Sequence, residues 1–224
     1  MQLAIDTSTD SASLALVQDD EVLAESTWLC GQNHSVELLP RLARLLNEAK
    51  VGLQSIRCIM VAKGPGSFNG LRVGISTAKG LAFSLGIPII GISSLELEAY
   101  QHAETGLPIC PIFNAGRGEI ATAMYQKKDN KWYQLAAEHI TTVEALCSEI
   151  TGKTVFCGEY VPLIANQLRK RLKQRAIIAT TELRRASLLV KLAKQRLEAE
   201  DYDNPATLQP LYLRRPAITQ RRHR

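Results

Sequence analysis

The segment from residue 56 to residue 92 constrains the fold of this chain more than any other. It runs from the apolar stretch IRCIMVAK through Gly64-Pro65-Gly66 into NGLRVGISTAKGLAFSLG and then IPIIGI. A short apolar run bounded by Gly and Pro is typical of a buried strand, and apolar residues then recur from Leu71 to Leu85 at the steps of an α-helix. The segment therefore predicts a β-α-β unit with parallel strands, and hence an α/β fold.

The elements on either side extend this unit into two lobes. Strand-like runs over 1–8, 11–18 and 21–28, with a turn at Asp19-Asp20, predict three consecutive antiparallel strands. A helix follows over 34–50, with Ser35 able to cap its start. Beyond residue 92 we predict a helix, three strands, a helix, a strand and two more helices, over 93–106, 108–115, 119–127, 131–140, 142–150, 153–158, 161–173 and 186–200.

This order predicts a complete N-terminal lobe over 1–100 and a smaller C-terminal α/β lobe over 101–212, followed by a disordered basic tail over 213–224. The chain has 224 residues, of which 46% are hydrophobic, and this content can bury one large core or two modest ones. The five cysteines form no C-x-x-C pair, which favours buried thiols in a reducing compartment. No leader or membrane-spanning pattern is recognisable, so we predict a cytoplasmic protein.

The net charge of +5 is unevenly distributed. Residues 1–100 contain seven basic and ten acidic residues, and the remainder contains 20 and 12. The basic residues concentrate in 168–175, at Arg184-Arg185 and in 212–224. Such clusters are compatible with contacts to nucleic-acid phosphates, or with a solvated helix face and a frayed tail. No aromatic residues are interleaved as a stacking platform requires, which favours the second interpretation.

The stretch KGPGSFNGLRVG, residues 63–74, invites comparison with phosphate-binding loops. A P-loop needs Gly-Lys-Ser/Thr five residues after its first glycine, and Asn69 stands there instead. The dinucleotide fingerprint G-x-G-x-x-G fails at the same residue. The stretch therefore predicts a tight strand-to-helix turn, with Ser67 or Asn69 capping the second helix.

Catalytic patterns are scarce. The histidines at 34, 102, 139 and 223 form no H-x-x-x-H pair, and no G-x-S-x-G elbow occurs. His34 at a helix start is more typical of a cap than of a base. Asp6 and Thr7, in the DTST turn, are weak candidates for contacts to a cofactor, because the same letters form ordinary Asx or Ser/Thr turns. We predict no catalytic residue, no metal site and no cofactor.

The first two helices carry more apolar and small residues than one buried face needs. Val36, Leu39 and Leu42 follow one line, while Leu38 and Leu45 lie off it. The second helix contains three glycines, 70, 74 and 80, although each costs about 1 kcal/mol relative to alanine. Something must pack closely against them, and both deep core and a partner protein satisfy this pattern.

Five segments of the sequence, taken together in order, indicate more than any single motif. They are AIDTSTDSASLAL, HSVELLP, AKGPGSFNGLRVGISTAKGLAFSLGIPIIGISSLELEA, NAGRGEI and PLYLRRP. Their order and spacing resemble the bacterial TsaB (YeaZ) proteins over nearly the whole chain, most specifically in residues 1–100. The family resemblance implies an actin-like, sugar-kinase-like and Hsp70-like two-lobe fold, with the N-terminal lobe complete and the C-terminal lobe reduced.

The resemblance also implies a function. Members of the family are the non-catalytic partner of TsaD in the complex that transfers threonylcarbamoyl to the adenosine next to the anticodon of ANN-decoding tRNAs. The complex includes the ATPase TsaE, takes threonylcarbamoyl-adenylate as donor and holds the tRNA, so this chain is expected to meet tRNA only indirectly. The catalytic paralogue bears a metal-binding histidine pair where this chain has Ser94 and Glu98. That difference places catalysis in the partner.

Family members pair through the first two helices, with TsaD or with themselves as a homodimer. Carried onto this sequence, the candidate interface residues are Leu38, Leu42, Leu45, Gly70, Arg72, Gly74, Ile75 and Lys79. Three positions depart from the usual family pattern: Asn69, Asn114 and Gly116. The changes at 114 and 116 put in doubt any charge contact made there.

Three other classes of protein stay open at the level of sequence. An actin-fold ATP-binding enzyme would bind nucleotide tightly. A metal-dependent peptidase, a label that this superfamily has attracted, would hold stoichiometric zinc or iron. A stand-alone RNA-binding module would bind tRNA without a partner and in a salt-sensitive way.

Overall fold

A computed structural model describes residues 1–180 and 183–214 of the chain. Its first sheet has five strands in the order β3-β2-β1-β4-β5. The first three strands are antiparallel, and β4 and β5 run parallel to β1, which confirms the predicted meander and the β-α-β unit. The strands are β1 Gln2–Asp6, β2 Ser11–Gln18, β3 Glu21–Leu29, β4 Cys58–Ala62 and β5 Ile89–Ile92.

The second sheet repeats this connectivity. Its order, β10-β9-β6-β7-β8, is again three antiparallel strands followed by two strands parallel to the first. The strands are β6 Ile109–Gly116, β7 Glu119–Lys128, β8 Lys131–Thr141, β9 Thr154–Cys157 and β10 Ala176–Ile178. The three-residue β10 was missed by the sequence analysis, because so short a run after a basic helix carries no recognisable period.

Three helices accompany each sheet in chain order. They are α1 His34–Glu48, α2 Phe68–Leu85 and α3 Ser94–Tyr100 in the first half, and α4 Val143–Glu149, α5 Val161–Leu172 and α6 Ser187–Glu198 in the second. The second set is shorter, since α4 has 7 residues where α1 has 15. The predicted helix over 93–106 ends at Tyr100. Across the described residues, no helix has the length and apolarity needed to cross a membrane.

The two lobes exchange their last helices. Although α3 follows the first sheet in sequence, it packs on β6 and β7 of the second. In return, α6 packs on β1, β2, β4 and β5 of the first sheet, where Leu189 and Ala193 are fully buried. The predicted division at residue 100 follows chain order, whereas α3 and α6 each pack on the sheet of the other lobe, because sequence order does not show which sheet face a helix covers.

Both long helices of the first lobe begin as their local sequences require, with one exception. Ser67 Oγ accepts a hydrogen bond from the Gly70 amide at 3.3 Å, so Ser67 caps α2. The cap predicted at Ser35 is wrong: α1 starts at His34, after Asn33, without a side-chain cap. His34 instead places its Nε2 2.7 Å from the carbonyl oxygen of Thr9, which ties the helix start to the β1–β2 turn.

The described end of the chain, which we call the C-terminal strap (residues 206–214), contacts both lobes. The Leu211 amide donates to the Lys63 carbonyl at 2.6 Å, and Lys79 Nζ donates to the Leu208 carbonyl at 3.1 Å. Arg214 then forms an ion pair with Glu119 in the second lobe. Leu213 and Arg214, the first two residues assigned to a disordered tail, are thus bound to the second lobe, and residues 215–224 lie outside the described part of the chain.

A matched pair of leucines on α1 tests which face of the helix is core. Leu42 is 3% exposed and Leu39 is 54% exposed. We expect Leu42→Ala to lower the free energy of unfolding by about 2–5 kcal/mol, because it leaves a cavity, and Leu39→Ala to change it by less than about 0.5 kcal/mol. Urea denaturation of both variants checks this, and equal losses would contradict the orientation of α1.

Candidate functional site

A buried polar turn follows β1 in the cleft between the lobes. Asp6 Oδ1 accepts hydrogen bonds from the amide of Ser8 at 2.9 Å and from its hydroxyl at 2.6 Å. Asp6, Thr7, Ser8 and Thr9 are all at most 3% exposed. Desolvated carboxylates and hydroxyls need partners inside the protein, so the groups facing this turn decide what it can bind.

The guanidinium of Arg184 fills the turn. Its Nε donates to Asp6 Oδ2 at 2.8 Å, and its Nη2 donates to Ser8 Oγ at 3.1 Å and to Thr9 Oγ1 at 2.7 Å. Its Nη1 lies 3.4 Å from Glu98 Oε2 on α3, and the guanidinium stands 5.2 Å from the ring centroid of Phe113 on β6. One buried cation thus joins groups from the first sheet, from the exchanged helix and from the second lobe.

Sequence analysis missed Arg184 as a site residue. It appeared there only as part of a basic cluster, and its neighbour Arg185 is in fact exposed and paired with Glu25. Nothing local distinguishes the two arginines. The sequence offers one signal for a buried pair: an acid, Asp6, ends the first strand, and an arginine precedes the last apolar helix.

The charged groups of this network shift one another's pKa values. Burial alone would lower the pKa of Arg184, but the charges of Asp6 and Glu98 outweigh it and raise that pKa. Burial raises the pKa of Glu98, and Arg184 opposes that rise. Glu159, at the rim of the cleft, is exposed as a residue, yet partial burial of its carboxyl group raises its pKa to about 7. Three acidic groups, Asp6, Glu98 and Glu159, thus interact with the one guanidinium of Arg184.

Thr7, the other weak candidate for cofactor contact, is bonded to α2. Its hydroxyl donates to the Gly70 carbonyl at 2.8 Å. A Cβ at Gly70 would lie 2.1 Å from the Thr7 carbonyl oxygen, and one at Gly74 would lie 2.2 Å from Thr7 Oγ1. The close packing predicted at these two glycines therefore comes from this chain's own β1–β2 turn. At Gly80 a Cβ would meet nothing within 4 Å.

The two residues at the paralogue's histidine positions serve this chain's own structure. Ser94 Oγ accepts from the Gly64 amide at 3.0 Å, so it holds the Gly-Pro-Gly turn. Glu98 faces Arg184. The family departures at 114 and 116 also have local roles: Asn114 Oδ1 accepts from the Gly116 amide at 2.8 Å, and Gly116 has φ +74° in the β6–β7 turn.

A cavity of about 200 Å³ in the cleft is lined by Arg184, and a second cavity has a volume of about 380 Å³. Among the described residues that line it, two are carboxylates, Asp10 and Glu159, and none is basic. A polyanion such as a nucleotide triphosphate is disfavoured beside these carboxylates. The other lining residues are Thr9, Gly66, Ser67, Asn114 and Tyr160.

Six of the eight predicted interface residues lie in this chain's own core. Leu38, Leu42, Leu45, Gly70, Gly74 and Ile75 are buried. On α1 the buried face is formed by Leu38, Leu42 and Leu45, of which only Leu42 lies on the line of apolar residues that the sequence analysis followed. Of the other two, Arg72 is exposed and stacks 3.8 Å from the Phe68 ring centroid, and Lys79 contacts the C-terminal strap.

Some apolar and small residues of α1 and α2 do reach solvent, and we define the outer helix face as Val36, Leu39 and Ala43 on α1 with Gly80 and Phe83 on α2. Val36 is 71% exposed and Phe83 is 87% exposed. Steps of three and four residues place the members of each helix on one side, and the two helices pack against each other. Large exposed apolar residues on adjoining helices make this face a candidate for protein binding.

Two sheets of identical connectivity, with α3 and α6 exchanged between them, define a two-lobed α/β protein of the actin-like class. A family profile described as "TsaD: tRNA N6-adenosine threonylcarbamoyltransferase" matches residues 28–221. A Bacillus subtilis protein, "tRNA threonylcarbamoyladenosine biosynthesis protein TsaB", is 36% identical over 217 residues, covering 95% of this chain and 93% of the relative. The chain belongs to the TsaB (YeaZ) family.

Two further comparisons support this family assignment. An Escherichia coli protein of the same description is 32% identical over 162 residues, 70% of each chain. A solved structure from Pseudomonas aeruginosa, described as an uncharacterized protein with similarity to peptidase YEAZ, has a TM-score of 0.82 and 25% identity. It covers 95% of this chain and 99% of that chain.

Neighbouring arginines test the role of the buried network. Arg184 is 4% exposed at its side chain and Arg185 is 61% exposed. Arg184→Met leaves Asp6 and Glu98 as uncompensated buried charges, so we expect a loss of about 3–5 kcal/mol in the free energy of unfolding. Arg185→Met should cost no more than about 1 kcal/mol. If chemical denaturation shows similar losses in the free energy of unfolding for both variants, the buried network does not hold the lobes together.

Proposed function

We propose that this chain is a non-catalytic subunit of the complex that transfers threonylcarbamoyl to the adenosine next to the anticodon of ANN-decoding tRNAs. It binds the catalytic subunit TsaD through the outer helix face, and it meets tRNA and TsaE through that complex. The observation that carries the proposal is the exposed apolar surface of α1 and α2 in a chain of the TsaB family.

The outer helix face has the properties of an interface centre. An aromatic side chain, Phe83, stands 87% exposed beside Gly80, where a Cβ would touch nothing in this chain. Glycine at such a position allows another helix to approach closely, and aromatic anchors dominate binding energy in many interfaces. The cost of leaving Val36 and Leu39 in water is recovered when a partner covers them.

TsaD is the favoured partner because the profile that matches residues 28–221 is that of the TsaD family. A paralogue of the same fold presents the same pair of helices, and two such pairs pack as a four-helix bundle about a pseudo-twofold axis. A second copy of this chain can use the same geometry. A second copy of this chain is therefore the alternative partner at this surface when TsaD is absent.

A non-catalytic role is supported by the state of the cleft. Arg184 takes the polar groups of the turn after β1, and Thr7 is bonded to α2. The cavity beside them carries carboxylates. The polar groups of this turn are thus bonded within the chain, which supports a role as a binding surface in the complex.

Charged substitutions on the outer helix face test the interface. We expect Phe83→Asp and Leu39→Asp each to weaken the complex with TsaD on the order of tenfold or more, because a carboxylate would be buried against apolar partner groups. Affinity co-purification and calorimetric titration measure this. Leu163→Asp is the matched control, since Leu163 is 76% exposed but lies on α5.

Circular dichroism and melting temperature should show all three variants folded, because none of the three residues is buried. Full retention of TsaD binding by both Phe83→Asp and Leu39→Asp would remove the outer helix face as the interface. Loss of binding in Leu163→Asp alone would transfer the interface to the second lobe.

Reconstituted transfer tests the functional role itself. We expect a mixture of TsaD, TsaE, tRNA and threonylcarbamoyl-adenylate to modify tRNA efficiently only when this chain is added. The Phe83→Asp variant should fail to support the reaction in proportion to its lost binding. Equal rates with and without the chain would overturn the proposed function.

A further inference from the structure

Glu98 of the buried Arg184 network also belongs to a second cluster of side chains. Glu98, His102 and Cys157 each place a potential ligand atom within 4.8 Å of the other two. Glu98 is 6% exposed, Cys157 is 3% exposed and His102 is half-buried. Cys157 ends β9, Glu98 lies on α3, and His102 lies two residues beyond the end of that helix. The cluster therefore joins α3 to the sheet on which it packs.

Although the sequence predicts no metal site, we propose that Glu98, His102 and Cys157 form a binding site for a divalent ion of the zinc class. A carboxylate, an imidazole and a thiolate are the ligand types that zinc takes in proteins, at about 2.0–2.3 Å. Ligand atoms of a tetrahedral site stand closer together than 4.8 Å, so binding requires the three side chains to close by about 1 Å. His102, being half-buried, leaves the site open to ions from solvent.

The acidic groups around the cluster outnumber the basic ones. Arg184 interacts with three carboxylates, Asp6, Glu98 and Glu159, and it is the only guanidinium or ammonium group bonded to Asp6 or Glu98 among the described residues. Its close contact, at 2.8 Å, is with Asp6, whereas its distance to Glu98 is 3.4 Å. Charge-assisted hydrogen bonds are about 2.7–2.9 Å long, so Glu98 is the less compensated of the two acids.

The groups already around Glu98 suit a ligand. Arg184 and the amide of Gly158 both act on its carboxylate. Metal-ligating carboxylates are themselves commonly hydrogen-bonded by outer groups, which fix their orientation. A metal ion takes the Cys157 sulfur as a thiolate, so binding would release one proton to solvent. The bound ion would then connect α3, the exchanged helix, to the end of β9.

Cobalt(II) is a suitable probe because a thiolate ligand gives it a near-ultraviolet charge-transfer band. We expect chelator-treated full-length protein to bind one equivalent of cobalt(II) with this band, and zinc(II) to displace it. Cys157→Ser should abolish the band. Cys147→Ser, at another buried cysteine on α4, should leave it unchanged.

A second variant keeps the test decisive if Cys157→Ser fails to fold. His102→Gln changes a half-buried side chain, so it is expected to fold, and it should weaken cobalt binding by more than about tenfold. The proposal is overturned if micromolar cobalt(II) gives no thiolate band, or if the band persists in folded Cys157→Ser. Because these readouts need neither TsaD nor tRNA, they are independent of the proposed function.

Discussion

The ion pair between Arg184 and Asp6 is the interaction on which the cleft depends. It is buried, it measures 2.8 Å, and it links residues that are 178 positions apart in sequence. Buried ion pairs bring little net stability, because desolvation offsets the attraction, but leaving one partner unpaired is costly. The arrangement that satisfies Asp6 is therefore strongly preferred, and it requires the segment before α6 to return to the first lobe.

That return explains the exchange of helices. Once Arg184 sits beneath the β1–β2 turn, α6 continues directly onto the open face of the first sheet and buries Leu189 and Ala193 there. The face of the second sheet that α6 leaves is covered by α3, against β6 and β7. Each sheet thus has both faces covered, as a sheet with parallel strands needs, although no lobe supplies all its own helices.

The same packing decides which surfaces remain for a partner. Gly70 and Gly74 are occupied by Thr7, so they belong to the interior, while Gly80 and Phe83 face outward on the same helix. The number of apolar residues on α1 and α2 shows that some of them must lie outside one buried face, but it does not show which ones. The surplus is resolved only by the rotation of each helix on the sheet, and that rotation places Leu38 inside and Leu39 outside.

The sequence by itself determined the α/β class, the β-α-β unit, the Ser67 cap of α2 and the failure of the phosphate-loop patterns, because each depends on spacing between near neighbours. Its segment order also resembled the TsaB family, to which the chain belongs. Only the tertiary structure decided the burial of Arg184, the exchange of α3 and α6, and the outer helix face. These depend on contacts between residues far apart in sequence, and a local pattern gives no information on which distant group will satisfy a buried charge.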